Sequence, residues 1–326
     1  MPFELKSDRR YAILGTGALG GFYGARLQKA GAEVHFLLHR DYDHVAQRGL
    51  VIESPDGDFT LPIVHAYSDV SKLPPCDVVV VALKTTQNHL LPDLLPSIVQ
   101  PEGVVLVLQN GLGIEPAVAR IVGADRVIGG LCFLCSNKVG PGHIRHLDYS
   151  EIKLGEYGPD YSPVGISQRM RQIAEDFERA GIPMKLAEDL LLARWQKLVW
   201  NIPFNGLSVI LNARTDELMA DPDTRLLAEQ LMQEVAAGAL SEGRVISQGF
   251  IQQMLDHTAK MKPYHTSMKL DYDRHHPLEI DMMFGYPLSR VQAAGTELPK
   301  IAVLYQQLKF LNQRNLHPRE QADGTQ

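Results

Sequence analysis

The stretch that decides the fold is residues 11–31, which read YAILGTGALGGFYGARLQKAG. A short aliphatic run is followed by Gly15, Gly17 and Gly20 at the spacing G-x-G-x-x-G, and then by a helical pattern that ends at Gly31. In such a turn the first glycine permits a tight bend, the second lets the backbone approach a pyrophosphate, and the third lets the helix pack closely on the strand. The N–H groups at the start of the helix would then face the phosphates. Because a strand precedes the turn and a helix follows it, the pattern predicts a dinucleotide-binding unit rather than a turn that serves only the backbone.

The end of the second strand, predicted at residues 33–38, indicates which dinucleotide is bound. Proteins that prefer NAD usually place an Asp or Glu there to bind the ribose 2′-hydroxyl. This chain has Arg40 instead, and a permanently charged guanidinium suits the 2′-phosphate of NADP. The alternative is a solvated arginine paired with Asp41 or Asp43. Because Arg40 suits the 2′-phosphate, the predicted cofactor is NADPH. The residues expected to bind it at this end of the sheet are Gly15, Thr16, Gly17, Ala18, Leu19, Gly20 and Arg40.

Length and composition indicate a globular protein of two domains. A chain of 326 residues is long for one domain, and 45% hydrophobic with 21% charged residues is ordinary for folded cores. The net charge of -6 is spread along the chain, with no basic stripe of the kind that binds nucleic acid. Residues 1–10 are polar, and no run reaches the roughly 18 apolar residues of a membrane span. We expect a soluble cytoplasmic protein that binds neither nucleic acid nor membrane.

Cysteine and histidine usage argues against redox and metal chemistry. Cys132 and Cys135 form a Cys-x-x-Cys, but the surrounding VIGGLCFLC is typical of a buried strand, whereas redox dithiols normally lie at a helix N-terminus. The 12 histidines show no ligand spacing with a matching second pair. We expect no disulfide framework and no metal site.

The first part of the chain alternates strands and helices, which predicts a doubly wound α/β sheet of the Rossmann type in a domain at residues 1–187. A hairpin is predicted around Asp56–Gly57, and the nearly unbroken valine run at 77–83 is typical of a central parallel strand. Further strands are predicted at 104–108 and 126–133, an antiparallel pair within 143–155, and helices at 88–99 and 167–180.

The second part of the chain, from about residue 187, shows one helical pattern after another. An all-α domain is predicted at residues 188–318, followed by a disordered tail at 319–326. The predicted helices span 190–210, 222–247, 252–260, 277–294 and 301–313.

The first of these helices carries a line of polar residues. Lys197, Asn201 and Asn205 recur at every fourth position and therefore project from nearly one face, while their neighbours are mostly apolar. A solvated polar stripe is the alternative. The well-packed apolar neighbours favour a line that faces a cleft.

A second polar pair is Ser267 and Glu279. Pro277 is expected to be the first residue of a helix, which would place Glu279 in its first turn, where the helix dipole favours a carboxylate. Taken alone, this glutamate would be an ordinary N-terminal charge.

Taken in order, these features resemble the ketopantoate reductases over about residues 10–315. That resemblance implies reduction of 2-dehydropantoate to (R)-pantoate with NADPH, in the route to pantothenate and coenzyme A. It also implies a Rossmann domain joined to a helical domain of the 6-phosphogluconate dehydrogenase C-terminal type, with the substrate in the cleft. The features that carry it are the glycine turn, Arg40, Lys84 in ALKTTQ, Asn110 in Gln109-Asn110-Gly111, the line of Lys197, Asn201 and Asn205, and Glu279 in LEID.

The resemblance also implies roles for these residues. Lys197 would be the general acid, and Glu279 would orient Lys197 and the substrate hydroxyl. Lys84 and Asn110 would lie beside the nicotinamide and its ribose, both among the cofactor-binding residues. The residues implied to bind substrate are Asn201, Asn205, Ser267 and Asn110.

One position departs from the family pattern. Members often carry a further substrate-binding Asn about 18 residues beyond the lysine, where this chain has Thr215, with Asn212 nearby. The departure leaves open which branched 2-keto acid is the small-molecule partner.

Two other functions stay open from the sequence. One is a related β-hydroxyacid or opine-type dehydrogenase, since a lysine followed four residues later by asparagine occurs there also. The other is a non-enzymatic NADPH sensor, which would not need Lys197 and Glu279 together. The oligomeric state is also open, with a homodimer as one option.

Overall fold

The structure is a computed structural model that describes residues 9–317. The predicted tail at 319–326 lies outside the described residues. The chain divides into two compact units, which we call unit 1 (residues 9–110 and 114–193) and unit 2 (residues 111–113 and 194–317).

Unit 1 is a ten-stranded sheet with helices, and it confirms the predicted α/β class. Its strands lie in the order β4-β3-β9-β8-β7-β6-β1-β2-β5, with β10 paired to β9. The strands are β1 Arg10–Leu14, β2 Glu33–Leu37, β3 Leu50–Glu53, β4 Phe59–Leu61, β5 His65–Tyr67, β6 Cys76–Val81, β7 Val99–Val107, β8 Val127–Gly140, β9 His143–Glu156 and β10 Met184–Ala187. The α-helices are α1 Ala18–Lys29, α2 Tyr42–Arg48, α3 Leu91–Ile98, α4 Ile114–Val122 and α5 Gln168–Arg179.

The central strands of this sheet are parallel, as the glycine turn and the valine run predict. β1 pairs in parallel with β2 and β6, and β6 pairs in parallel with β7. The valines at 78–81 are buried, which accounts for their lack of polar alternation. The predicted hairpin around Asp56–Gly57 is also present as the antiparallel pair of β3 and β4.

The prediction of an antiparallel pair within residues 143–155 is wrong. These residues belong to one strand, β9, whose antiparallel partner is β8. The strand has an irregularity at Tyr149, which has a φ of +53°, and the β8–β9 register shifts nearby between Phe133 and Cys135. The actual turn lies at Gly142, whose φ of +63° suits glycine.

Unit 2 is helical, and no strand follows Ala187 among the residues that the structure describes. The predicted helix at 190–210 is confirmed at both ends. The predicted 222–247 helix stops earlier, at Ser241, because Gly243 takes a left-handed conformation just beyond it. The elements are α6 Leu190–Ile210, whose residues 190–193 belong to unit 1, α7 Thr215–Ala220, α8 Pro222–Ser241, α9 Gln248–Lys260, α10 Ser267–Asp273, a π-helical turn at Asp281–Gly285, α11 Tyr286–Ala293 and α12 Pro299–Leu316.

The prediction of a helix starting at Pro277 is wrong. Residues 276–279 form neither helix nor strand, and the backbone N–H of Leu278 donates to the side chain of Asn312, 3.1 Å away. Helical structure starts at Ile280 and passes at once into the π turn. Pro287 has no N–H to bond the carbonyl four residues earlier, which favours such a change of register.

Among residues 9–317, no helix combines the length and apolar character needed to cross a membrane. Within the same range, His, Cys, Asp and Glu side chains form no cluster of three that could hold a metal ion.

The three cysteines are buried with free thiols. Cys132 and Cys135 lie in β8, as predicted, so neither belongs to the first turn of a helix, where redox dithiols normally lie. Cys76 begins β6, and burial raises the pKa of its thiol to about 12.

We expect the native cysteines to resist alkylation because the reactive species is the thiolate, which burial disfavours. Iodoacetamide labelling followed by mass spectrometry at mildly alkaline pH should leave Cys76 unmodified in the native protein. The same protein in denaturant should be labelled at all three cysteines. Rapid labelling of native Cys76 would show that this strand is not packed as described.

Candidate functional site

The glycine turn between β1 and α1 is held by close backbone contacts. Gly15 has a φ of +97°, and a Cβ added there would lie 2.6 Å from the backbone nitrogen of Leu83. A Cβ at Gly20 would lie 2.3 Å from the Gly15 carbonyl oxygen. A Cβ at Gly17, in contrast, would meet no protein atom within 4 Å. The turn therefore packs against other protein atoms at Gly15 and Gly20, whereas the space beside Gly17 is open.

Loops at the ends of neighbouring parallel strands converge on this turn. The Thr16 hydroxyl donates to the carbonyl of Leu37, 3.0 Å away, which ties the turn to the end of β2. The side-chain amide of Gln109 donates to the carbonyl of Leu83 at 2.8 Å and to Asn88 at 2.7 Å, which ties the end of β7 to the loop after β6. The carboxyl ends of open parallel sheets are where such folds bind ligands.

Lys84 and Asn110 lie on these two loops. Lys84 follows Leu83 directly, precedes a short 3-10 helix at Thr85–Leu90 and is exposed. Asn110 follows Gln109 and is partly buried. Ala18 and Leu19 occupy the first turn of α1, which contains no acidic residue. Unit 1 thus brings its predicted cofactor residues to one edge of the sheet.

Arg40 lies beyond the end of β2 and is exposed. Asp41, one of its two suggested partners, is engaged elsewhere, because its carboxylate lies 2.5 Å from Nζ of Lys138 and accepts the backbone N–H of Gly142 at 2.9 Å. Within residues 9–317, Arg40 forms no ion pair with Asp41 or Asp43. Its guanidinium is therefore available to an anionic ligand.

On unit 2, α6 presents the predicted polar line. Lys197 is partly buried, while Asn201 and Asn205 are only 5% and 2% exposed. The Asn205 amide donates to the carbonyl of Asn201 at 3.0 Å, and its oxygen accepts the backbone N–H of Met268 at 3.3 Å. The Asn201 amide has no such bond among the described residues. Of the two, Asn201 is the more open to a ligand.

Ser267 lies at the start of α10, beside the residue that Asn205 contacts. Thr266 caps this helix by accepting the backbone N–H of Lys269, and its hydroxyl lies 2.7 Å from that of Ser208 on α6. Both hydroxyl-bearing residues are fully buried. Two polar links therefore position Ser267 against the polar line of α6.

Glu279 is buried and lies before the helical segment, not within its first turn as predicted. Its carbonyl accepts the backbone N–H of Met283 at 3.3 Å, at the entrance to the π turn. In the next turn, the carbonyl of Met282 accepts the N–H of Leu112 at 2.8 Å. Glu279 thus lies two residues before a π turn, and such turns are frequent at functional sites. Its pairing with Lys197 stays a prediction.

Thr215 and Asn212 do not supply the amide that the family pattern has near this point. Thr215 is buried at the start of α7, and its backbone N–H and hydroxyl both donate to the carbonyl of Tyr264, at 3.2 and 3.4 Å. Asn212 is exposed, in a left-handed conformation just after α6. It serves as a helix terminator.

Comparison with protein families decides the assignment. The family model of ketopantoate reductase PanE/ApbA matches residues 11–159. The model of the ketopantoate reductase PanE/ApbA C terminal matches residues 189–312. This chain belongs to the ketopantoate reductase family. The resemblance noted in the sequence is thereby confirmed.

Individual ketopantoate reductases match almost the whole chain. A 2-dehydropantoate 2-reductase of Nostoc sp. is 66% identical over 309 residues, which cover 95% of this chain and 97% of that relative. The crystal structure of 2-dehydropantoate 2-reductase from Geobacter metallireducens has a TM-score of 0.89 at 42% identity and covers 92% of this chain and 99% of its own. The enzyme from Methylococcus capsulatus gives 0.85 at 31% identity, with 94% and 97% covered.

Sequence reasoning missed three residues that shape these sites. Ser208 and Thr266 link α6 to α10, and Lys138 lies beside the glycine turn. None belongs to a recognisable motif, and each acts through a partner that is distant in the chain. Their pairing could only be found from the packing.

We expect substitutions in the glycine turn to reduce stability at the packed position, Gly20, but not at the open position, Gly17. Gly20→Ala should lower the free energy of unfolding by about 1–3 kcal/mol, because its methyl group meets backbone that no rotamer change can move. This exceeds the gain of about 1 kcal/mol in helix propensity. Gly17→Ala, with open space around it, should change that free energy by less than about 0.5 kcal/mol. Urea unfolding of both variants checks this, and equal effects would contradict the described turn.

Proposed function

We propose that this protein reduces 2-dehydropantoate, or ketopantoate, to pantoate, with NADPH as the electron donor. The observation that carries the proposal is the similarity to a 2-dehydropantoate 2-reductase, which extends over nearly the full length of both chains. The product lies on the route to pantothenate and coenzyme A. The substrate is a small 2-keto acid, and the reaction makes the protein an oxidoreductase.

The residues of unit 1 fit a dinucleotide. The turn is open at Gly17, so a pyrophosphate has room to approach the backbone there, and the start of α1 offers N–H groups with no acidic residue to repel the phosphates. Arg40 would bind the 2′-phosphate, for which its exposed guanidinium is suited. Lys84 and Asn110 would hold the nicotinamide half. We therefore propose NADP rather than NAD as the cofactor.

The chemistry requires one proton and a means of stabilising negative charge. When bound, NADPH supplies a hydride to the C2 carbonyl carbon of the keto acid. Charge then develops on the carbonyl oxygen, and stabilising it in the transition state is the task of the protein. We propose that the Lys197 ammonium donates a hydrogen bond to this oxygen and then its proton, which yields the hydroxyl of pantoate. Lys197 regains a proton from water before the next turnover.

The other residues of unit 2 would place the substrate for this transfer. Asn201 is nearly buried, and its amide forms no hydrogen bond to a described residue, so it suits a substrate carboxylate or hydroxyl. The Asn205 side chain hydrogen-bonds the carbonyl of Asn201 and the backbone N–H of Met268. We therefore propose that it contributes mainly by holding Asn201 and the segment around Ser267 in place. Ser267 would donate to the substrate, and the Glu279 carboxylate would orient Lys197.

Replacing the proposed acid should abolish most of the activity. With NADPH and ketopantoate, Lys197→Ala should lower kcat by about a thousandfold, because no other group then supplies the proton. Steady-state absorbance of the nicotinamide measures this, and other branched 2-keto acids in the same assay define the substrate range.

Lys260→Ala is the matched control, since Lys260 is an exposed lysine at the end of α9 in the same unit. It should leave kcat unchanged. If Lys197→Ala retained turnover within a few-fold of the unmodified protein, Lys197 would not be the acid. If the unmodified protein failed to reduce ketopantoate, the proposed substrate would be wrong.

Replacing Arg40 should affect one cofactor and not the other. In Arg40→Ala, the KM for NADPH should rise by about tenfold or more, because a charge-assisted bond to phosphate is lost. The KM for NADH, which lacks that phosphate, should change little. Arg48→Ala, at the exposed end of α2, is the control and should alter neither value. Equal KM changes for the two cofactors would exclude Arg40 as the selectivity residue.

A further inference from the structure

A hairpin far along the chain is fastened to the glycine turn of unit 1. The Ser136 hydroxyl on β8 donates to the carbonyl of Ala18 at 3.2 Å. Two residues on, Nζ of Lys138 lies 3.5 Å from the carbonyl oxygen of Thr16 and 2.5 Å from the carboxylate of Asp41. Lys138 therefore connects the glycine turn with the segment that follows β2.

Asp41 is held by this hairpin from two directions. Besides Lys138, the backbone N–H of Gly142, in the turn between β8 and β9, donates to its carboxylate at 2.9 Å. Asp41 immediately precedes α2, where an aspartate usually bonds the N–H groups of its own helix. It makes no such bond here. Its carboxylate is directed to the hairpin instead, with the side chain only 13% exposed.

The charge of Asp41 matters because of its place in the chain. It follows Arg40, in the region where an acidic residue selects NAD by bonding the ribose 2′-hydroxyl. An uncompensated carboxylate here would oppose a 2′-phosphate and favour a 2′-hydroxyl. The Lys138 ammonium cancels that charge at hydrogen-bond distance, which leaves the positive charge of Arg40 to act on the cofactor.

We propose that Lys138 is a selectivity residue for the 2′-phosphate of the cofactor. It acts by neutralising Asp41, which would otherwise make the site beside Arg40 suitable for NAD. This inference rests on the proposed preference for NADPH. Lys138 is a positioning and charge-compensating residue, and the contacts that assign it this role are those to Asp41 and Thr16.

The test is a comparison of cofactor binding in Lys138→Met, Asp41→Asn and the double variant. Calorimetric titration at fixed ionic strength gives Kd for NADPH and NADH, and adenosine 2′,5′-bisphosphate serves as a probe without the nicotinamide. Lys138→Met should weaken binding of NADPH and of the probe by about tenfold, because a partly buried carboxylate loses its partner. Binding of NADH should be unchanged or tighter, because the uncompensated Asp41 carboxylate suits a ribose 2′-hydroxyl.

The double variant decides the cause. Asn at 41 keeps an oxygen for the Gly142 N–H but carries no charge, so Asp41→Asn combined with Lys138→Met should regain most of the lost NADPH affinity. Asp41→Asn alone should bind NADPH at least as well as the unmodified protein. No recovery in the double variant, or an equal loss for both cofactors in Lys138→Met, would overturn the proposal.

Two controls keep the result interpretable. Lys185→Met removes an exposed lysine of unit 1, paired with Glu151 at 2.8 Å, and should change neither Kd. Thermal unfolding of every variant shows that the fold is retained. If the unmodified protein binds NADH as well as NADPH, the proposed cofactor is wrong, and that result is seen before any variant is made. A preference for NADPH that Lys138→Met leaves intact would refute only the role of Lys138.

Discussion

Unit 1 depends on the absence of side chains where β1, β6 and α1 meet. Gly15 lies against the backbone of Leu83, and Gly20 lies against the Gly15 carbonyl, at distances that no Cβ could occupy. This contact allows the start of α1 to pack closely against the sheet and against the loop that follows β6. Because Gln109 and Thr16 then fasten the neighbouring loops to the same edge, a single steric constraint places the whole proposed cofactor surface.

In unit 2, the side-chain amides of Asn201 and Asn205 are almost buried, so their hydrogen-bonding groups need partners. An unpaired buried amide is costly, so Asn205 bonds two backbone groups while Asn201 keeps its amide uncommitted. The Ser208–Thr266 pair adds a second link between the same two helices. The proposed substrate-binding line thus places Asn205, which is fixed by two hydrogen bonds, beside Asn201, whose amide can bind a ligand. Binding sites are precise when neighbouring groups hold the binding residues in this way.

Sequence alone predicted what is local or strongly periodic. The β1-α1-β2 unit, the valine strand and α6 all follow from patterns within about 20 residues of one another. The errors fall where the backbone departs from regular geometry. Tyr149 has a left-handed conformation inside the continuous strand β9, and a π turn at Asp281–Gly285 follows Glu279. The candidate site residues were named from family likeness and from spacing on one helix face. The Lys138–Asp41 contact joins positions 97 residues apart (138 minus 41), and no local signal predicts it.

At the position proposed for the 2′-phosphate, residues of opposite charge are neighbours in the sequence, so the motif at the end of β2 does not by itself define a cofactor preference. Arg40 is followed at once by Asp41, so the local sequence carries both the cation that favours NADP and the anion that favours NAD. Charges of opposite sign in one region oppose each other, so neither residue alone fixes the sign of the local potential. The proposed role of Lys138 on β8 is to supply the third charge that decides this sign, through its contact with Asp41. On the proposed role of Lys138, selectivity at this strand end depends on the fold, because the ammonium reaches Asp41 only through the β8–β9 hairpin.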